Sequence, residues 1–146
     1  MSGDRVMRTV IGRAATTLGA ALLITGALPA ALAHADAAGE YCRSNLDDYV
    51  DVWRGNGCFV SYGDKITVRD NVEDGLRVIV TWQTDYGRSD VCHNAKGGGT
   101  TVTCNYDMRE DSRIRFEVCN RNGASGANIN CTSWTPWLSI STGKPA

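Results

Sequence analysis

The feature that most constrains this chain is its set of six cysteines, all of which follow residue 41. An even number suits a complete set of disulfides, and six cysteines allow fifteen connectivities. The spacing favours neighbours, because two consecutive pairs are each 12 residues apart and enclose the Gly and Asn residues of hairpins and short loops. We therefore predict three local disulfides: Cys42–Cys58, Cys92–Cys104 and Cys119–Cys131.

The same spacing argues against other uses of the thiols. A zinc site needs cysteines two to four residues apart, and no two cysteines are that close. A catalytic thiol is disfavoured because an even set in an oxidising compartment is expected to be fully paired. The sequence thus predicts no metal site, no cofactor and no thiol chemistry.

The first 37 residues read as a Sec-type signal peptide. Three arginines before residue 14 precede an apolar stretch, which ends in the small-residue cleavage pattern Ala33-His34-Ala35. The stretch is long enough to suggest a membrane anchor, but Gly19, Gly26 and Pro29 interrupt it. We therefore predict a signal peptide over 1–37, secretion to the extracellular medium, no membrane association after cleavage, and one β-sandwich domain over 38–146.

The charge of the mature part excludes one class of partner. Residues 38–146 hold 12 Lys and Arg against 14 Asp and Glu, a net charge of −2. Electrostatic binding of nucleic acid requires an excess or a stripe of basic residues. Nucleic acid is therefore not an expected partner.

Short alternating segments predict an all-β fold, a small antiparallel β-sandwich or barrel with three disulfides. In 112–120, Ile114, Phe116 and Val118 alternate with charged residues. Turn residues separate such segments at intervals of about 8–12 residues. Further strands are predicted over 49–54, 58–62, 65–69, 76–82, 89–93, 100–105 and 136–140, with a turn at Asn56-Gly57, a short helical turn near 44–49, and loose ends at 38–41 and 142–146.

The mature part lacks a recognisable catalytic set. His93 is its only histidine and has no nucleophile motif beside it, so we interpret it as a polar loop residue. The carboxylates cluster in predicted turns, where acids are common. Two facing acids would permit glycoside hydrolysis, and Asp70 to Gly75 has some features of a calcium loop without EF-hand spacing. The sequence therefore favours a protein that is not an enzyme.

Four residues are candidates for contact with a partner. Lys96 and Arg121 each lie in a predicted disulfide-closed loop, and a rigid loop that presents one long cation is typical of proteins that insert into a partner's cleft. Trp134 and Trp137 suit a binding surface for protein or sugar. The alternatives are solvent-exposed turns with incidental charges and tryptophans that pack in the core. We expect at least two of the disulfides to stiffen loops rather than join the core.

Several short motifs carry a resemblance that covers nearly all of the mature chain. They are Trp53-Arg54 with Gly57-Cys58, Gly63-Asp64-Lys65, Asp74-Gly75 before the strand ending at Trp82, Cys104-Asn105-Tyr106, and Phe116-Glu117-Val118-Cys119. The pattern resembles small disulfide-rich exported β-proteins of actinobacteria. It is more distantly similar to tendamistat-like amylase inhibitors, which have tyrosine after Trp-Arg where this chain has Gly55, and to the adaptor subunit of umbrella toxin particles.

These resemblances imply a function in binding. A toxin-particle adaptor would contact another secreted protein, one with a trypsin-like domain. We therefore expect a secreted, non-enzymatic protein-binding module, an adaptor or inhibitor-like protein. The alternative is a small extracellular carbohydrate-binding or hydrolytic protein, motivated by the tryptophans and the acids.

Overall fold

The computed structural model describes residues 39–47 and 51–146, so the predicted signal peptide lies outside the described residues. The described chain forms β-strands and no helix, and thus no helix with the length and apolar character needed to cross a membrane. The strands are β1 (Glu40–Asp47), β2 (Val52–Val60), β3 (Lys65–Asp70), β4 (Arg77–Thr84), β5 (Ser89–His93), β6 (Thr101–Asn105), β7 (Arg113–Arg121), β8 (Asn128–Ile129) and β9 (Leu138–Ser139).

The strands form two antiparallel sheets. The first sheet has the order β1-β2-β3-β6, and the second has the order β5-β4-β7-β8 with β9 paired to β7. The predicted all-β antiparallel fold is confirmed. Among the described residues the arrangement is a sandwich and not a closed barrel, because the two sheets stay separate.

The core lies between the sheets and follows the alternation of β4 and β7. Val78, Val80 and Trp82 of β4 are fully buried in it. Ile114, Phe116 and Val118 of β7 are buried opposite them, as the alternation predicts. The intervening residues of β7 therefore point away from the core, onto the outer face of the second sheet.

The predicted turn at Asn56-Gly57 is wrong, because both residues lie inside the continuous strand β2. Gly55 and Gly57 face inward, where the sheets approach closely. A Cβ at Gly55 would lie 2.5 Å from Val78 Cγ2, and one at Gly57 would overlap Val80. Glycine is needed here for close packing between sheets, not for a turn.

The predicted helical turn over 44–49 is also wrong for its described part, since residues 44–47 belong to β1. Position 45 of this strand faces inward with a polar side chain. Asn45 Nδ2 donates to Asn120 Oδ1 at 2.7 Å, a buried bond between the two sheets. Burial of these amides is tolerated because each supplies the partner that the other needs.

The two ends predicted to be loose are held by backbone hydrogen bonds. The Ser61 amide donates to the Gly39 carbonyl at 2.9 Å, and residues 40 and 41 belong to β1. At the C-terminus, the Gly143 amide donates to the Ser139 carbonyl at 2.8 Å, and Leu138 forms an isolated bridge with Pro145. These contacts fix both ends of the described domain.

The predicted disulfide pairing is confirmed, and the three bonds indicate an oxidising environment. The expectation that at least two of them stiffen loops is wrong. Cys42–Cys58 joins the paired strands β1 and β2, and Cys92–Cys104 joins β5 of the second sheet to β6 of the first. Cys119–Cys131 closes the loop that carries β8 and joins no second named strand to β7.

Candidate functional site

The outer face of the second sheet is the candidate site, and β7 supplies its centre. Arg113, Arg115 and Glu117 point outward because the residues between them are in the core. The chain after Cys131 then runs beside β7. The Thr135 amide donates to the Phe116 carbonyl at 2.8 Å, and the Phe116 amide donates to Thr135 Oγ1 at 3.0 Å. These bonds place the tryptophans on either side of Thr135 next to the arginines.

Trp134 and Trp137 share one arginine between them. The Arg115 guanidinium carbon lies 5.1 Å from the ring centroid of Trp134 and 4.7 Å from that of Trp137. Arg113 lies 5.9 Å from the Trp137 ring. A cation near an aromatic face is attracted by the ring quadrupole. We call these four residues the Trp–Arg cluster; both tryptophans are half-buried.

Polar neighbours fix the two arginines of the cluster. Arg113 Nε donates to Asp85 Oδ2 at 3.0 Å, and the Arg113 amide donates to Asp85 Oδ1 at 3.1 Å. These hydrogen bonds, the backbone one first, lower the pKa of Asp85. When the Gln83 side-chain amide is oriented with its oxygen toward Arg115, that oxygen accepts from the Arg115 guanidinium. The cluster is therefore an ordered surface whose two arginines are held in place by Asp85 and Gln83.

Three polar groups on the outer face of the second sheet have no partner among the described residues. Glu117 is half-buried and forms no ion pair within the described chain, and burial raises its pKa. Thr81, which lies opposite Glu117 on β4, has a buried and unbonded Oγ1. His93 Nδ1 is likewise buried and unbonded. Buried polar atoms are rarely left unpaired in folded proteins. Of the three groups, the half-buried Glu117 carboxylate is the one that another molecule can reach for a hydrogen bond.

The predicted contact residues fall at different places on the molecule. Trp134 and Trp137 come together at the Arg113 end of β7. Arg121 is at the opposite end of β7, where Nε donates to Asn128 Oδ1 at 2.8 Å, so its side chain is engaged by its own loop. Lys96 is exposed in the β5–β6 loop and lines a cavity of about 290 Å³ together with Arg77.

A larger cavity of about 460 Å³ lies beside the end of β1. Its lining is formed by residues 44–47 and 130–132. The only ionisable group among these is Asp47, which pairs with Arg54 Nε at 2.8 Å. The cavity therefore presents polar surface without a free charge from its described lining.

Two groups of side chains have the proximity expected of metal ligands, but both depend on cysteines. They are Glu40 with Cys42 and Cys58, and Glu117 with Cys119 and Cys131. All four sulfurs are in disulfides. A disulfide sulfur is not a thiolate, the form of cysteine that binds metal, so each group retains one carboxylate as its ordinary ligand.

No family model matches the chain, and neither the curated proteins nor the solved structures include a significant match to it. The site is therefore interpreted from its own residues.

Sequence reasoning missed Arg77, Arg115 and Glu117 as parts of a surface. The alternation in β7 did predict that Arg113, Arg115 and Glu117 share one face. It did not predict which face the tryptophans join, because the chain after residue 131 reaches β7 through tertiary hydrogen bonds.

Proposed function

We propose that this protein is a secreted, non-enzymatic binding module that docks the outer face of its second sheet onto another extracellular protein. In this function it is an adaptor subunit of an extracellular complex, such as a toxin particle, or an inhibitor-like protein. The observation that carries the proposal is the Trp–Arg cluster, in which Arg115 lies between Trp134 and Trp137. Tryptophan and arginine are the residue types that dominate binding energy at protein interfaces.

Unpaired polar groups elsewhere on the same outer face support the same surface. Glu117, Thr81 Oγ1 and His93 Nδ1 lie on strands adjacent to one another in the second sheet. Glu117 is only half-buried, so a partner that donates a hydrogen bond to its carboxylate recovers part of the cost of its burial. The outer face of the first sheet differs, since its exposed positions on β6 are Thr101, Thr103 and Asn105, as is usual for a solvated face.

The surface is also rigid, which favours tight binding. The Val118 amide donates to Thr132 Oγ1 at 3.1 Å, and the Thr132 amide donates to the Val118 carbonyl at 2.9 Å. The Cys119–Cys131 disulfide adds a covalent tie to the same segment. Because this segment is ordered before binding, association loses less conformational entropy.

The ring contacts favour protein over carbohydrate as the ligand. A sugar-binding platform stacks on an open tryptophan face, and the Arg115 guanidinium already lies over one face of each ring here. Hydrolysis of a glycoside requires two facing free carboxyl groups. Two of the carboxylates in or beside the turn regions, Asp47 and Asp74, are already paired with Arg54.

The test begins with native mass spectrometry of the secreted protein from culture supernatant, which reports a stoichiometric partner and any bound ligand together. A photo-crosslinking residue at exposed Ser89, on the docking face, should capture that partner, and one at Thr103 on the first sheet should not. A secreted protein with a trypsin-like domain is a specific partner to examine.

Affinity measurements with the captured partner then test the cluster. Trp134→Ala and Arg115→Ala should each weaken binding at least tenfold, since hot-spot truncation costs about 2 kcal/mol. Tyr62→Ala is the matched control, because Tyr62 is 75% exposed in the β2–β3 turn, away from this face. Unchanged affinity in folded Trp134→Ala and Arg115→Ala variants would contradict the proposal, and binding to polysaccharide instead would support the carbohydrate alternative.

A further inference from the structure

The cavity beside Lys96 is a site that the docking face does not account for. It lies between the β3–β4 and β5–β6 loops and has a volume of about 290 Å³. Its charged lining consists of Arg77, Lys96 and Glu73, and the backbone of Gly97 and Gly98 completes the wall. Lys96 thus forms the side of a cavity and is not the tip of a protruding loop.

The walls of this cavity are held in place by a buried asparagine. Asn94 is fully buried, and its Nδ2 donates to the carbonyls of Val68 at 3.2 Å and Thr100 at 2.9 Å. Its Oδ1 accepts from the Lys96 amide at 3.0 Å. The loop carrying Lys96 therefore has a fixed backbone, attached to the first sheet through β3.

Close contact between the two loops fixes the cavity further. A Cβ at Gly98 would lie 2.5 Å from the Glu73 amide nitrogen, so the loops touch at this glycine. A cavity whose walls are already in contact and hydrogen-bonded does not need to be assembled by its ligand. It therefore meets the requirement of pre-organisation for binding a small group.

The charge at this corner is positive although residues 38–146 carry a net charge of −2. Arg77 lies directly opposite Arg121 in the register of β4 and β7, a placement that is unfavourable for like charges. The Arg77 and Lys96 side chains form no hydrogen bond or ion pair with another described residue.

The field of these arginines also acts on the neighbouring His93. Burial lowers the pKa of His93, and the charges of Arg121 and Arg77 lower it further against the opposing effect of Asp90. The groups facing this corner are thus Arg77, Arg121, Lys96 and Glu73, three cations and one acid. Only Arg121 among the cations is engaged by its own loop.

We propose that this cavity binds a carboxylate group, carried by an acidic segment of the partner protein, between Arg77 and Lys96. The lining contributes two cations and one acid, a net charge of +1, which matches a carboxylate better than a doubly charged phosphate. The residues of the cavity indicate that it binds an oxyanion. That this oxyanion belongs to a partner protein rests on the proposed function. Arg77 and Lys96 serve as the recognition groups, and Glu73 disfavours ligands of higher charge.

The experiment is an NMR titration of the ¹⁵N-labelled secreted protein with N-acetyl-tetraglutamate amide as the probe. We expect amide shifts at residues 75–77 and 95–98. Lys96→Gln and Arg77→Gln should each weaken binding about threefold, in the range of an exposed ion pair, and Glu73→Gln should strengthen it about twofold. Because Glu73→Gln should raise the affinity while Lys96→Gln and Arg77→Gln lower it, the comparison distinguishes recognition of charge from a structural effect of the substitutions. Matched controls are Lys65→Gln and Arg69→Gln on β3, which should leave binding unchanged.

Other outcomes overturn the inference. Shifts located elsewhere, or affinity that is the same in Lys96→Gln and Glu73→Gln, would refute the cavity as the site. Inorganic phosphate binding more tightly than the peptide at the same amides would refute the carboxylate. Trp134→Ala should leave peptide binding unchanged, so a failure of the docking face can be distinguished from a failure of the cavity. If the peptide binds but no partner protein does, the proposed docking face is wrong. If a partner protein binds but the peptide does not, the proposed cavity site is wrong.

Discussion

Replacing Cys92 and Cys104 together with alanine should destabilise the protein by about 4 kcal/mol. The disulfide closes a loop with a sequence separation of 12 residues. In the chain-entropy model, opening a loop of this length costs about 3 kcal/mol. Cys92 is fully buried in the core, so removal of the two sulfurs also leaves a void of roughly 45 Å³, which adds about 1 kcal/mol at 24 cal/mol per Å³.

The chain contains its own matched control. Cys119–Cys131 has the same separation of 12 residues, so its removal should cost the same entropy of about 3 kcal/mol. Cys119 is also fully buried, but it lies outside the core cluster between the sheets, and its partner Cys131 is exposed. The space left by these two sulfurs therefore opens to water at Cys131 and adds little cavity cost. The Thr132 hydrogen bonds to Val118 keep the segment in place.

Urea unfolding of the two double-alanine variants and the natural protein measures this difference. Both variants should show larger m-values, because the unfolded chain is less constrained, and their free energies of unfolding should differ by about 1 kcal/mol. The reasoning is refuted if Cys92→Ala/Cys104→Ala is as stable as Cys119→Ala/Cys131→Ala, since the disulfide between the sheets would then add nothing beyond loop closure.

Three further predictions concern the core and the single histidine of the described chain. Gly57→Ala should cost about 1–3 kcal/mol in thermal or urea unfolding, because the new Cβ would overlap Val80, and an unchanged stability would contradict the close approach of the sheets. Asn45→Ala should cost about 1–3 kcal/mol by leaving Asn120 Oδ1 unpaired, and a double-mutant cycle with Asn120→Ala should show less than additive loss. The lowered pKa of His93 means that the folded state binds fewer protons than the unfolded state, so stability should fall as pH decreases through about 6.5 toward the folded pKa. His93→Gln should remove that part of the pH dependence of unfolding, and an unaltered pH profile would show that the histidine pKa is not perturbed.

The strands with clear alternation were predictable because the residue types along each strand match the burial that the fold imposes on them. In β7 every second residue is apolar, which predicted that Ile114, Phe116 and Val118 face the core, and all three are fully buried. In β4 the β-branched run predicted a central strand, and β4 lies between β5 and β7. Local disulfides were predictable for a similar reason, since cysteines 12 or 16 residues apart can meet across a single intervening turn or loop.

The missed elements have tertiary causes. β1 places Arg43 and Asn45 inward, which no hydrophobic pattern reveals. They are accommodated because Arg43 Nη2 donates to Ser133 Oγ at 2.9 Å and Asn45 donates to Asn120, partners 90 and 75 residues away. A turn signal at Asn56-Gly57 was overridden because the glycine is needed where the sheets meet.

The candidate site was likewise predictable from the sequence only in part. The sequence indicated tryptophans as contact residues and placed Arg113, Arg115 and Glu117 on one face. The cluster exists only because Thr135 and Thr132 bind the backbone of β7 and bring Trp134 and Trp137 against Arg115. Lys96 was identified from its loop alone, whereas its position beside Arg77 depends on how the β3–β4 and β5–β6 loops pack.

The sequence by itself determined the all-β class, the pairing of the cysteines and the alternation that separates core from surface, because these depend on residues near one another in the chain. Tertiary structure decided what each disulfide joins, and Cys92–Cys104 proved to connect the two sheets. It also decided which side chains share a surface. Those properties depend on contacts between distant segments, and local patterns carry no information about which segments meet.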